Sequence, residues 1–346
     1  MARKILWGSL ALAPITILVE YVLDPGDVAL FVLSALALIP LAWLIGEATE
    51  HAAHYTGPGI GGFLNATFGN APELIIALFA VHDGLTEVVR GSLTGSVVGN
   101  LLLVLGFSLA FGGSGELDRR SSMISLGLVG FAVLLFLIPA IPGWHGDPDR
   151  HDLAVISVPV SIVLLLVYVG VTLFSLRRHR QQHISDESPE MAGWSFTTSL
   201  LVLGGATVIT ALVAEILVGT LEAFAEKAHL SDFFVAAVIV AIVGNAAEHG
   251  GAVVVAARGK IKLAAEIALA SGAQVAVFLI PAVALLSWLI EPLALSFRQV
   301  EIFALAGATA FTALILANGR SSKAKGIALI GAYCLVALAF LLAGDR

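Results

Sequence analysis

The sequence predicts an all-α polytopic membrane protein of about eleven transmembrane helices, with one extra N-terminal helix followed by two inverted-topology repeats of five helices each. Three observations predict it: an apolar composition, a series of stretches long enough to cross a bilayer, and a motif that recurs at a constant offset. Of the 346 residues, 58% are hydrophobic and 12% charged, and the mean hydropathy is +0.97. A soluble domain carries roughly 25% charged residues. Water-soluble classes are therefore excluded.

A helix that crosses the hydrocarbon needs about 20 mainly apolar residues. Stretches of that kind run over 5–23, 28–46, 60–81, 88–111, 122–141, 153–175, 195–221, 233–257, 263–290, 299–317 and 325–343, which leaves almost nothing for a soluble domain. Met1-Ala-Arg-Lys followed by an apolar run resembles a signal peptide, with Ala11-Leu-Ala13 as a cleavage site. However, only about six apolar residues precede that site and the run continues to Leu23, so a retained first helix is expected. The single cysteine, Cys334, provides neither a disulfide framework nor a thiolate metal site.

Orientation follows from the distribution of Lys and Arg. With the N-terminus in the cytoplasm, eleven crossings place thirteen of the eighteen basic residues inside and the C-terminus outside. Arg90, Arg150, Lys227, Arg298 and Arg346 are left over, spread singly over the outer loops and the C-terminus. The net charge of −7 implies no nucleic-acid partner.

Gly69-Asn-Ala-Pro-Glu73 recurs as Gly244-Asn-Ala-Ala-Glu248, 175 positions later. At the same offset Glu47 meets Glu222, His54 meets His229 and Ser96 meets Ser271, without a gap. The expected organisation is an N-terminal helix over 1–26, a first five-helix repeat over 27–176, a charged cytoplasmic linker over 177–193 and a second repeat over 194–346. An odd number of helices per repeat gives the two halves opposite orientations. Secondary transporters built this way bind ions near the bilayer midplane, on helices broken there.

Glu73 and Glu248 fall well inside their stretches. Intramembrane carboxylates are costly and usually mark ion pathways, and no Lys or Arg is expected at comparable depth on the flanking helices to neutralise them. Gly69 and Gly244 weaken the helix just before each glutamate, and Pro72 removes a further backbone donor. A local break would expose the carbonyls of Gly69, Ala71, Gly244 and Ala246 beside the side chains of Asn70 and Asn245. This all-oxygen donor set suits a hard divalent cation, Ca2+ above all, with Na+ left open. Since a carboxyl group withdrawn from water holds its proton more readily, two glutamates suffice to exchange one Ca2+ for protons. The empty, doubly ionised state is costly, which favours an antiporter over a channel.

Ser92, Ser96 and Asn100 share one helix face at i, i+4 steps, and Ser271 and Gln274 share another at i, i+3. They are expected to line the pore or to bond neighbouring helices. Glu47 and Glu222 are placed at opposite ends of their stretches, either to relay ions or protons or as ordinary interfacial carboxylates. His249 follows Glu248 directly and is a further relay candidate. Glu50, His51 and His54 do not share one tight face and are expected at the interface. Glu87 and Glu266 are expected in first helical turns, facing the positive end of the dipole. Intramembrane hydrolysis is excluded: no span holds a deep aspartate, and no His-Glu-x-x-His motif occurs.

Gly69-Asn-Ala-Pro-Glu-Leu-Ile-Ile-Ala-Leu78, Ser92-Leu-Thr-Gly-Ser96 and Gly99-Asn-Leu-Leu-Leu-Val-Leu-Gly106 resemble the first conserved repeat of calcium/proton exchangers, and Gly244-Asn-Ala-Ala-Glu-His249 resembles the second. The resemblance is to the CAX branch of the cation/calcium exchanger superfamily and covers nearly the whole chain. It implies two inverted five-helix bundles plus one helix, with Glu73 and Glu248 as the exchange carboxylates. It also implies Asn70, Asn245 and the flanking carbonyls as ligands, and Ca2+ leaving the cytosol against entering protons. No cofactor is implied, since Ca2+ is the transported substrate; the other partners are H+ and the lipid bilayer. Glu266 and Gly250-Gly251 depart from the small residues and alanines commoner in the family, which bears on ion selectivity. A sodium-coupled exchanger, or one of broader divalent specificity for Mn2+ or Cd2+, is the alternative. A prokaryotic plasma membrane is the expected location.

Overall fold

The computed structural model describes residues 2–23, 26–180 and 193–345, and for residues 2–4, 57–63, 65–66, 175–180 and 247–249 it describes the backbone alone. In chain order the helices are α1 Ala2–Ser9, α2 Leu12–Leu23, α3 Asp27–Gly69, α4 Ala71–His82, α5 Thr86–Val98, α6 Leu105–Gly112, α7 Arg119–Gly143, α8 His151–Arg180, α9 Phe196–Gly219, α10 Leu221–Ala228, α11 Asp232–Phe234, α12 Ala241–Gly244, α13 Ala246–Ala257, α14 Ile261–Gln274, α15 Ile280–Leu286, α16 Gln299–Leu316 and α17 Lys323–Ala343. Wide π-helical turns, Gly99–Val104, Val235–Val240 and Val275–Leu279, join α5 to α6, α11 to α12 and α14 to α15. An antiparallel ribbon of β1 (Gly115–Glu116) and β2 (Arg320–Ser321) ties the α6–α7 connection to the α16–α17 connection.

Among the described residues, nine helices are long and apolar enough to cross a membrane, or ten if α10 and the segment Asp232–Gly244 form one bent span. The protein is an integral membrane protein. The expected count of eleven differs because two stretches are interrupted. The stretch 60–81 is divided at Asn70, which leaves the twelve-residue α4 as a separate apolar helix, and 233–257 is divided at Asn245.

A second difference is the absence of a loop between 46 and 60, where α3 stays helical. No glycine or proline occurs between Glu47 and Thr56 to stop it. Thr49 donates back to the Ile45 carbonyl at 2.7 Å, and His51 sits 3.7 Å from Glu47 at i, i+4. Glu50, His51 and His54 therefore lie on a helix. Most of the expected linker, 181–192, lies outside the described residues.

The repeat-related segment of the second half has a different shape. There α9 ends at Thr220, α10 ends at His229 in the left-handed region (φ 57°), and the chain turns by 111° into α11. Ser231 starts α11 by accepting from the Phe234 amide at 3.1 Å. Thr56, its counterpart at the 175-residue offset, instead donates back into α3, to the Ala53 carbonyl at 3.2 Å.

Close helix contacts are made by small residues, as in membrane bundles generally. A Cβ on Gly95 would overlap the Ala237 carbonyl, so α5 and the Val235–Val240 turn pack backbone to backbone. Gly106 and Gly326 make a similar crossing between α6 and α17. At the other side, Trp7 stands edge-on to Trp43 (5.5 Å) and Trp194 (6.2 Å), which fastens the N-terminal helix to α3 and to the entry of α9.

Gly95→Ala is expected to destabilise the protein by about 1–3 kcal/mol through overpacking. Thermal unfolding in detergent measures this, with Gly127→Ala as a control, since nothing lies within 4 Å of a Cβ there.

Candidate ion-binding site

Glu73 occupies the third position of α4, after Pro72, and is 8% exposed. A carboxylate in a first helical turn faces the positive end of the helix dipole, here at a helix start created by the break at Asn70. Pro72 suits the first turn because that turn requires no backbone donor. The second break falls at Asn245, between α12 and α13, with alanine in place of the proline. A break there therefore does not require proline. Glu248 occupies the third position of α13, as Glu73 does of α4. Its side chain and that of His249 lie outside the described residues.

The two breaks meet. A Cβ on Gly244 would lie 3.1 Å from Cγ of Glu73 and 3.8 Å from its Oε1, so the second break presents bare backbone to the first carboxylate. Asn245 is 1% exposed and fully engaged: its amide nitrogen donates to Ser96 Oγ at 2.8 Å and to the Ala241 carbonyl at 2.9 Å, and its Oδ1 accepts from Asn100 at 3.2 Å. Asn100 also donates to the Ser96 carbonyl at 3.0 Å. In this structure Asn245 is thus a bridge between the halves, its oxygen already in use. Asn70 is equally buried, at the junction of α3 and α4.

A small cavity opens beside Glu73, lined by Ile76, Ser92, Leu93, Ser96, Val240 and Ala241. It unites Glu73 with two of the expected pore-lining hydroxyls. Asn100 lies within the π-helical turn Gly99–Val104, and Gln274 immediately precedes another, a geometry frequent at functional sites. Gly272 lets α14 approach Asn100, whose Cβ would be 3.4 Å from a Cβ added at the glycine. Ser271 is buried and Gln274 half-buried, but neither lines the cavity.

The outlying candidates are not brought to this cavity. Glu47 is half-buried and paired with His51, which stacks against Trp194 at 5.0 Å, whereas Glu222 is exposed in the first turn of α10. Among the described residues no group of three or more His, Cys, Asp and Glu side chains is placed to hold a metal ion. Glu87 does lie in the first turn of α5, but Glu266 sits beyond the first turn of α14, which begins at Ile261. Two further charges were not anticipated. Arg90 belongs to α5 rather than to a loop and is 1% exposed, its charge met by Asp149 at 2.6 Å. Glu301 is fully buried at the start of α16. Its sequence setting, three positions after Arg298 and in a first helical turn, does not distinguish it from an exposed carboxylate.

The geometry can be set beside known proteins. The family model for the sodium/calcium exchanger protein matches residues 27–177 and 198–342. The chain belongs to that family. It is 39% identical over 328 residues to the Ca2+/H+ antiporter ChaA of Bacillus subtilis (strain 168), covering 90% of this chain and 92% of that exchanger. The solved structure of native YfkE superposes with a TM-score of 0.84 at 34% identity, covering 97% and 99% of the two chains. The crystal structure of the H+/Ca2+ exchanger CAX shares the fold, with a TM-score of 0.74 at 17% identity over 99% and 92%. The motif resemblance to calcium/proton exchangers is thus borne out for the exchanger family.

Removing the Ser96–Asn245 bond tests the junction between the halves. A Ser96→Ala, Asn245→Ala double-mutant cycle, read by unfolding in detergent, is expected to give a coupling of about 0.6–1.7 kcal/mol, the range for hydrogen bonds between membrane helices.

Proposed function

We propose that this exchanger is a secondary active antiporter that moves Ca2+ against protons by alternating access, with Glu73 and Glu248 as the groups that bind one or the other. The observation that carries the reading is the burial of Glu73 in the first turn of a broken helix, against the bare backbone of the second break at Gly244. The name of the Bacillus subtilis relative, a Ca2+/H+ antiporter, agrees with it.

The chemistry follows from the donor set. Ca2+ takes six to eight oxygens at roughly 2.3–2.6 Å in flexible geometry, and the cavity offers the Glu73 carboxylate with the Ser92 and Ser96 hydroxyls. Asn70, Asn245 and the carbonyls of Gly69, Ala71, Gly244 and Ala246 complete the proposed set, with Asn245 contributing once its bridge to Asn100 and Ser96 opens. Two carboxylates neutralise one divalent ion or take up protons, so the loaded states avoid a bare double charge in low dielectric. Return without cargo is disfavoured, and the fluxes are coupled.

The unequal shapes of the two repeat-related segments, continuous in α3 and bent by 111° between α10 and α11, fit a protein with access from one side at a time. In this reading the N-terminus is cytoplasmic, the C-terminus lies outside, and the host is a prokaryotic plasma membrane. The protein acts as a transporter rather than an enzyme.

Ca2+ uptake into proteoliposomes under an imposed pH gradient tests the proposal. Uptake is expected to follow the proton gradient, to persist when Na+ is absent, and to be lost in Glu73→Gln and in Glu248→Gln. Uptake that ignores the pH gradient removes the coupling, and activity in both variants removes the assigned site.

A further inference from the structure

We propose that Arg90, Thr94 and Glu301 form a buried brace that sets the position of α5, and with it the placement of Ser92 and Ser96 against Glu73. These three are positioning residues: the inference rests on reading the Glu73 cavity as the ion site, and none of them lines it.

α5 has two polar faces. Ser92 and Ser96 look into the cavity. Thr94 lies between them in sequence, at the same level along the helix but roughly 200° around it from each. Its hydroxyl donates to Glu301 Oε1 at 3.1 Å, and both residues are fully buried. One turn away on that face, Arg90 donates to both Asp149 oxygens (2.6 and 3.4 Å), to Thr86 Oγ1 (3.2 Å) and to the Ala294 carbonyl (3.3 Å). The same structure closes around Glu301 from the other side, since its Oε2 accepts the Arg298 amide at 2.6 Å. Arg90 and Arg298 are the neighbouring cations.

Such a network is a poor device for stability alone, because well-packed apolar residues commonly do as well as buried ion pairs. What it supplies is direction. A hydrogen bond at the level of Ser92 and Ser96 fixes the rotation and height of α5, which an apolar contact would let slide. Oxygens that must reach a cation within a few tenths of an ångström require that control.

Initial rates of Ca2+ uptake across a range of Ca2+ concentrations, with the full chain in proteoliposomes at one pH gradient, test the inference. Thr94→Val, of the same shape, is expected to raise KM for Ca2+ about ten-fold, the worth of one hydrogen bond to a charged group, while the saturating rate stays near that of the unaltered protein. Thr94→Ser is expected to restore KM. Glu301→Gln is expected to raise KM as Thr94→Val does, without a further rise when the two are combined; should one variant not fold, the other carries the test. An unchanged KM with only a lower saturating rate or unfolding temperature overturns the inference, as does failure of Thr94→Ser to restore KM. Glu73→Gln in the same assay separates the cases: if it still transports, the site reading has failed, and if it is inactive while KM is unmoved in Thr94→Val, the brace alone has failed.

Discussion

Hydrocarbon offers no hydrogen bonds, so an interrupted helix and a carboxylate are both untenable at mid-membrane unless protein surrounds them. This chain places both at one point. The break at Asn70 frees the start of α4, and Glu73 occupies that start; the break at Asn245 brings Gly244 against it. The neighbouring helices can be understood as what keeps lipid from these two junctions. Asn245, held by Ser96, Asn100 and the Ala241 carbonyl, ties the second break to α5 and the turn after it.

α5 serves both sides of that arrangement. Over Arg90–Asn100, which runs from α5 into the π-helical turn after it, polar residues are distributed at helical spacing, Ser92, Ser96 and Asn100 on one side and Arg90 and Thr94 on the other, and glycines at 91 and 95 let the Phe233–Ala237 region approach closely. A helical segment buried on every side while carrying five polar side chains is specified more tightly than an apolar one, because each group has to find its own partner.

Membrane character, the positions of most spans and the two breaks were legible in the sequence, since hydrophobic length and the recurring Gly-Asn-Ala-x-Glu motif can be read along the chain. The helical run through Glu47–Thr56 was hidden because polarity there suggested an interface, whereas Thr49 and the Glu47–His51 pair sustain the helix. The cavity could be anticipated only in part. Spacing along one helix put Ser92 and Ser96 on a common face, but that Glu73 joins them while Ser271 does not depends on how helices far apart in sequence are packed. Arg90 and Glu301 were out of reach for the same reason: Asp149, Ala294 and Thr94, which accommodate them, come from other segments.

The backbone contact of Gly95 with Ala237 joins a helix of the first sequence repeat to a turn of the second. With no side chain between them, the two backbones lie in direct contact. A backbone-to-backbone contact here therefore crosses between the two recurrences of the motif rather than lying within either: likeness of sequence groups one set of segments, and packing groups another.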